Sequence, residues 1–148
     1  MRLYTSKQTR ILDSLAIKEQ KISAFSLMHE AANFSFDTLL SYWPNTKEVF
    51  TFCGKGKNAG DGYLLAALAK EMGLKSFVVQ ISKQENLSLQ TKKALSECLS
   101  SGVKFITLKS FSKIPLNKAV LVDALLGTGL KGKVKRNRFG IYKRSDYK

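Results

Sequence analysis

Gly54-Lys55-Gly56-Lys57-Asn58-Ala59-Gly60-Asp61-Gly62 follows at once on the apolar run EVFTFC of residues 48–53. A short run of β-branched and aromatic residues that stops at a glycine-rich string reads as a strand feeding a tight turn. Residues 63–72 are rich in Leu and Ala and end at Gly73, as a helix with a C-terminal glycine does. Beyond it, 76–81 is again β-branched, 87–99 is helical with Gly102 behind it, 103–108 is a third strand, and 119–124 is a fourth that ends at Gly127-Thr128-Gly129. Upstream, 5–17 sets Ile11, Leu12, Leu15 and Ala16 on one helical stripe, and 26–43 does the same with Leu27, Met28, Ala31, Leu39 and Leu40. Strands that alternate with helices and are apolar throughout must be covered on both faces. The expected fold class is therefore α/β: a three-layer α/β/α, Rossmann-like parallel sheet with right-handed crossovers, preceded by two N-terminal helices.

The 148 residues, 44% of them hydrophobic, suffice for one domain with a core. No apolar run approaches the ~18 residues that cross a bilayer, and residues 1–10 lack the apolar stretch of a secretory signal, so a cytoplasmic location with no membrane is expected. Cys53 and Cys98 lie outside any CxxC or Cys/His cluster and read as small buried apolar groups. His29, the single histidine, has no second ligand near it in sequence and reads as a helix residue at the edge of the core. Net charge is +14, and eight of the 25 basic residues against one of the 11 acids fall between Lys131 and Lys148. Such a balance suits an anionic ligand such as a pyrophosphate, and would also attract nucleic acid without sequence preference. Nucleic acid is not expected as a partner, because Phe139, Tyr142 and Tyr147 are the tail's aromatics and belong to no recognisable module.

In an open parallel sheet the ligand site lies beyond the carboxyl ends of the strands, where both glycine-rich turns fall. Helix N-terminal amides beside glycines favour an anion. The generic dinucleotide pattern GxGxxG/A is met by Gly54, Gly56 and Ala59, but the acid expected about 20 positions on is absent: Gln80, Ser82 and Lys83 stand there. A P-loop is unmet as well, since no GK[ST] follows at the required spacing.

The longer string GKGKNAGDG, together with VDALLGTGLKG about 60 residues after it, resembles the GxGNNGGDG and DALFGTGL signatures of the NAD(P)H-hydrate epimerase family, the YjeF N-terminal domain. Leu27-Met28-His29-Glu30-Ala31-Ala32 stands for that family's LMExAG. The resemblance divides the chain into a partial epimerase domain, 1–133, and a basic tail, 134–148, expected to be unstructured. It implies interconversion of the R and S forms of hydrated NADH or NADPH (NADHX, NADPHX), an isomerase step in nicotinamide-nucleotide repair. It further implies that Lys57, Asn58, Ala59, Gly60 and Asp61 contact the hydrated dinucleotide, and that Gly127, Thr128, Gly129, Leu130, Lys131, Gly132 and Lys133 do likewise. Potassium is the implied cofactor, at Asn58 and Asp123, whose oxygens are hard donors. Asp123 is also the candidate acid/base group. The implied partners are the small-molecule substrate and an NAD(P)H-hydrate dehydratase, with room for a homodimer.

Each assignment has a plainer reading beside it. Asp61 is also a natural N-cap for a helix starting near Gly62; Asp123 also fits a solvated strand end, and Lys57, Lys131 and Lys133 ordinary surface charges. Lys57 and Ala59 replace an asparagine and a glycine of the family's loop, while His29 and Ala32 replace a glutamate and a glycine. The family's DxPSG loop, which supplies a further aspartate and potassium contact, has no counterpart, and apolar patterning stops after Leu130. The sheet is therefore expected to be incomplete at its C-terminus, as after a shifted reading frame. The alternative to an epimerase is a truncated, non-catalytic fragment that at most binds nucleotides.

Overall fold

Capping and apolar spacing set the helices, and β-branched runs the strands, in the order α1 (Ser6–Glu19), α2 (Ala24–Tyr42), β1 (Glu48–Cys53), α3 (Lys57–Glu71), β2 (Lys75–Gln80), α4 (Leu89–Ser100), β3 (Lys104–Thr107), α5 (Leu108–Phe111), β4 (Ala119–Ala124), β5 (Val134–Arg136) and β6 (Tyr142–Arg144). This computed structural model describes residues 4–81 and 85–127, and the backbone alone of 134–136 and 142–144. β1 to β4 form one parallel sheet of order β3-β2-β1-β4, with Glu48 in register with Lys75 on one side and Ala119 on the other. The α/β class, the parallel sheet and the two N-terminal helices are as expected, and β1 and β4 begin and end where the sequence places them. No helix among the described residues is long and apolar enough to cross a membrane.

Alternation along β1 separates two faces. Val49, Thr51 and Cys53 point to the side of α3, where they join Tyr63, Leu64, Leu65, Ala66 and Ala69 in the core. α2 lies on this side too, through Met28, Ala32, Phe36 and Leu39, whose spacing of three and four makes one helical stripe. That stripe uses Ala32 and Phe36 where the sequence reading had Ala31, which is exposed. α4 completes the layer with Thr91, Ala94 and Cys98. On the opposite face Phe50 stacks on Phe77 with ring centroids 4.7 Å apart, and Phe111 of α5 meets Phe50 and Phe52 edge-on at 5.1 and 5.0 Å. Among the described residues this four-residue helix is the only helical cover there, so the second helical layer expected from the sequence is represented by α5 alone.

Three further features differ from expectation. α3 begins at Lys57, six residues before the helix read from composition, because Gly60 and Gly62 are placed for packing and not for a turn. A Cβ on Gly60 would lie 2.6 Å from Met28 Sδ, and one on Gly62 2.5 Å from Ala124 Cβ; both glycines let α3 close on its neighbours. The apolar stripe of α1 buries nothing: Ile11, Leu12 and Leu15 are 50%, 45% and 43% exposed. β5 and β6 pair antiparallel within the stretch expected to lack structure, since backbone pairing needs no apolar pattern to announce it.

α1, α2 and α4 start on hydroxyl caps: Thr5, Ser23 and Ser88 accept from the amides of Gln8, Ser26 and Thr91. The Ser88 cap holds Thr91, which is fully buried, at 3.2 Å. Replacing Ser88 with alanine is expected to cost about 1 kcal/mol and to lower the thermal midpoint by about 3 °C; an unchanged melting curve would show that the cap contributes nothing.

Candidate functional site

β1 is flanked by β2 on one side and β4 on the other, so the strand order reverses between β1 and β4. Crossovers diverge at such a point and leave a crevice at the carboxyl ends. The turn after β1 is Gly54-Lys55-Gly56, and α3 starts on it. Unlike α1, α2 and α4, α3 carries no side chain on its N-cap: Gly56 has none to offer. Among the described residues its first amides therefore have no side-chain cap.

The turn after β4 is docked on that helix start. Gly54 N donates to Ala124 O at 3.1 Å, Leu125 N donates to Asp123 Oδ1 at 2.9 Å, and Asn58 Nδ2 donates to Leu126 O at 3.1 Å. Between the two turns lies a cleft of about 120 Å³ lined by Ser35, Asn58, Asp61, Gly62, Leu65, Val122, Asp123 and Ala124. Its floor is apolar and its rim carries one amide and two carboxylates. Drug-sized ligands fill pockets of roughly 300–1,000 Å³, so this cleft is too small for a whole dinucleotide.

Asp61, in the second turn of α3, is no N-cap, since that position belongs to Gly56. Burial, and secondarily the charge of Asp13 on α1, push its carboxyl up from 3.8 to about 6. Asp123 is exposed and spends one oxygen on the Leu125 amide; its other oxygen makes no hydrogen bond among the described residues. Asn58 must present Nδ2 to the Leu126 carbonyl, which fixes Oδ1 as the atom left over. Two hard oxygen donors thus share one cleft, a set that fits an alkali cation in kind. Among the described residues no three His, Cys, Asp or Glu side chains cluster as metal ligands.

Of the site residues expected from the sequence, Asn58, Asp61 and Asp123 line the cleft together. Ala59 and Gly60 are buried in α3 and do not line it, Gly60 facing Met28 of α2, while Lys57 at the start of α3 and Gly127 after β4 are exposed. Thr128, Gly129, Leu130, Lys131, Gly132 and Lys133 lie outside the described residues. Ser35, Gly62, Leu65, Val122 and Ala124 were missed. Leu65 sits one helical turn beyond Asp61 and Val122 directly precedes Asp123, so both were recoverable from neighbours, whereas nothing in sequence links α2's Ser35 to the site. His29 lies elsewhere: its Nε2 is 3.1 Å from Glu97 Oε2 and its ring meets Phe25 edge-on, joining α2 to α4. Cys53 and Cys98 are fully buried, and burial pushes both thiols up, Cys98 to about 12, far from thiolate reactivity.

Residues 24–144 match the model of the family described as YjeF-related protein N-terminus. A bifunctional NAD(P)H-hydrate repair enzyme Nnr of Coxiella burnetii is 39% identical over 133 residues, covering 90% of this chain and 27% of its own. An NAD(P)H-hydrate epimerase of Legionella pneumophila is 34% identical over 138 residues, covering 90% of this chain and 51% of its own. The chain therefore spans between about a quarter and a half of the length of these relatives. In fold it is similar to the crystal structure of the yeast protein YNL200c, with a TM-score of 0.73 at 21% identity, covering 94% of this chain and 62% of that one.

Proposed function

The chain belongs to the YjeF-related protein N-terminus family, and from that premise we propose that it epimerises hydrated NADH or NADPH in nicotinamide-nucleotide repair, with the cleft between β1 and β4 as its reaction site. The observation that carries this reading is the meeting of Asn58, Asp61 and Asp123 around one small, apolar-floored cleft at an uncapped helix start. The pyrophosphate of the substrate sits at the first amides of α3, with Lys55 and Lys57 beside it, and the hydrated nicotinamide ring enters the cleft.

Inversion needs the carbon–oxygen bond to the ring hydroxyl to break and re-form on the other face. Asp61 suits this step, because a carboxyl near pKa 6 is part protonated at neutral pH. It gives its proton to the hydroxyl, which leaves as water while the ring nitrogen lone pair takes up the positive charge. Water then adds to the opposite face and returns a proton to the carboxylate. No electron is transferred. The acid/base role thus passes to Asp61 from Asp123, whose free carboxylate oxygen, with Asn58 Oδ1, would hold a potassium ion. When bound, that cation supplies positive charge that steadies the anionic substrate.

The test is to mix the purified chain with R-NADHX and potassium, add an S-specific dehydratase, and follow loss of the R form. Consumption faster than spontaneous epimerisation, and dependent on potassium, is expected. Binding without acceleration would instead leave a nucleotide-binding fragment with no turnover.

A further inference from the structure

We propose that Asn58 is the clasp that positions the turn after β4, through its amide nitrogen, in addition to anything its oxygen holds. Nδ2 reaches from the first turn of α3 to the Leu126 carbonyl at 3.1 Å, across 68 residues of sequence. Around it the Leu125–Leu126–Gly127 turn has two other ties, the Gly54 to Ala124 and Leu125 to Asp123 hydrogen bonds, but both act at the start of the turn. Among the described residues only the Asn58 contact grips the turn beyond Leu125.

The geometry specifies the residue. A Cβ on Gly127 would sit 3.1 Å from Asn58 Cβ, so the turn lies flat against the asparagine side chain and a longer residue has no room to reach back. Aspartate has the same length but no donor, and would set a carboxylate against a carbonyl. Asparagine alone of the short side chains offers a donor to Leu126 and keeps an oxygen for the cleft. The turn follows directly on Asp123 and Ala124, which line the cleft; to that extent the clasp rests on the proposed function. Asn58 is then a positioning residue for the turn at 125–127.

Two variants test this in the full chain: Asn58→Asp, which keeps a hard oxygen and loses the donor, and Gly127→Ala, which leaves Asn58 intact and presses the turn away from it. Amide hydrogen exchange over residues 125–127 should quicken about 3- to 10-fold in both, the loss of one hydrogen bond, while β2 is unchanged. In the epimerase assay Gly127→Ala should raise KM for R-NADHX by the same factor with kcat within about twofold. Unchanged exchange in Asn58→Asp, with only its potassium response altered, would assign the residue to the cation alone and overturn the clasp. Should Asn58→Asp fail to fold, Gly127→Ala decides by the same exchange measurement. Faster exchange in a chain whose wild type shows no epimerisation would uphold the clasp and reject the enzyme.

Discussion

Gly54→Ala is expected to destabilise the protein by about 3 kcal/mol or more and to lower its thermal midpoint by roughly 10 °C. A Cβ at Gly54 would collide with the Leu125 carbonyl oxygen, and both partners are backbone, so no rotamer change relieves the contact. Either the turn after β4 lifts off or β1 shifts. Gly56, two residues on, is the built-in comparison: a Cβ there meets nothing within 4 Å, and Gly56→Ala should cost at most about 1 kcal/mol as a poorer N-cap. Thermal melts of the two variants side by side check the account; equal losses would refute the steric explanation.

Asp61→Asn is expected to lower kcat/KM for epimerisation by about 10²–10⁴-fold, the usual contribution of a positioned acid/base group. The same substitution should stabilise the fold at pH 7. The carboxyl of Asp61 sits at about 6 in the folded protein against 3.8 ordinarily, so the folded state holds its proton more tightly than the unfolded one. Its favourable contribution is complete below about pH 4 and is lost as pH rises through 6. The wild type should therefore lose about 1–2 kcal/mol between pH 4 and 7 relative to Asp61→Asn, a figure reduced for partial solvent screening. In activity, kcat/KM of the wild type should fall as pH rises above 6, because the protonated form is the one that starts the reaction. Denaturant titrations and rate profiles over pH 4–8 measure both. A wild-type stability curve parallel to that of the variant would place the carboxyl at its ordinary value.

Strand positions were legible because β1 and β4 are bounded by residues that cannot continue a strand, Pro44-Asn45 before one and glycines after both. The start of α3 was not, since a run holding four glycines reads as a turn until the helices against it are known; Gly60 and Gly62 answer to Met28 and Ala124, which are remote in sequence. The apolar stripe of α1 showed that a helix forms and left open what, if anything, it buries. At the site, the two glycine strings pointed to one crevice because both follow strands, and Asn58 and Asp123 do share it. The proton carrier we propose could not be singled out from the sequence. Asp61 and Asp123 are alike as letters, and only the burial of one and the exposure of the other separate them.

The connection between β3 and β4 crosses the whole sheet, from one edge past β2 and β1 to the other, a span of about 14 Å at ordinary strand spacing. β1, α3, β2, α4 and β3 by contrast follow one another as neighbours, so β4 makes the pairing most distant in sequence. The crevice has no second wall until it does. A nucleotide gripping both turns, as the proposed function has it, would bind only chains in which that pairing is complete, and so would raise the melting temperature in proportion to the logarithm of its concentration. On the proposed function, the damaged nucleotide itself would finish the host.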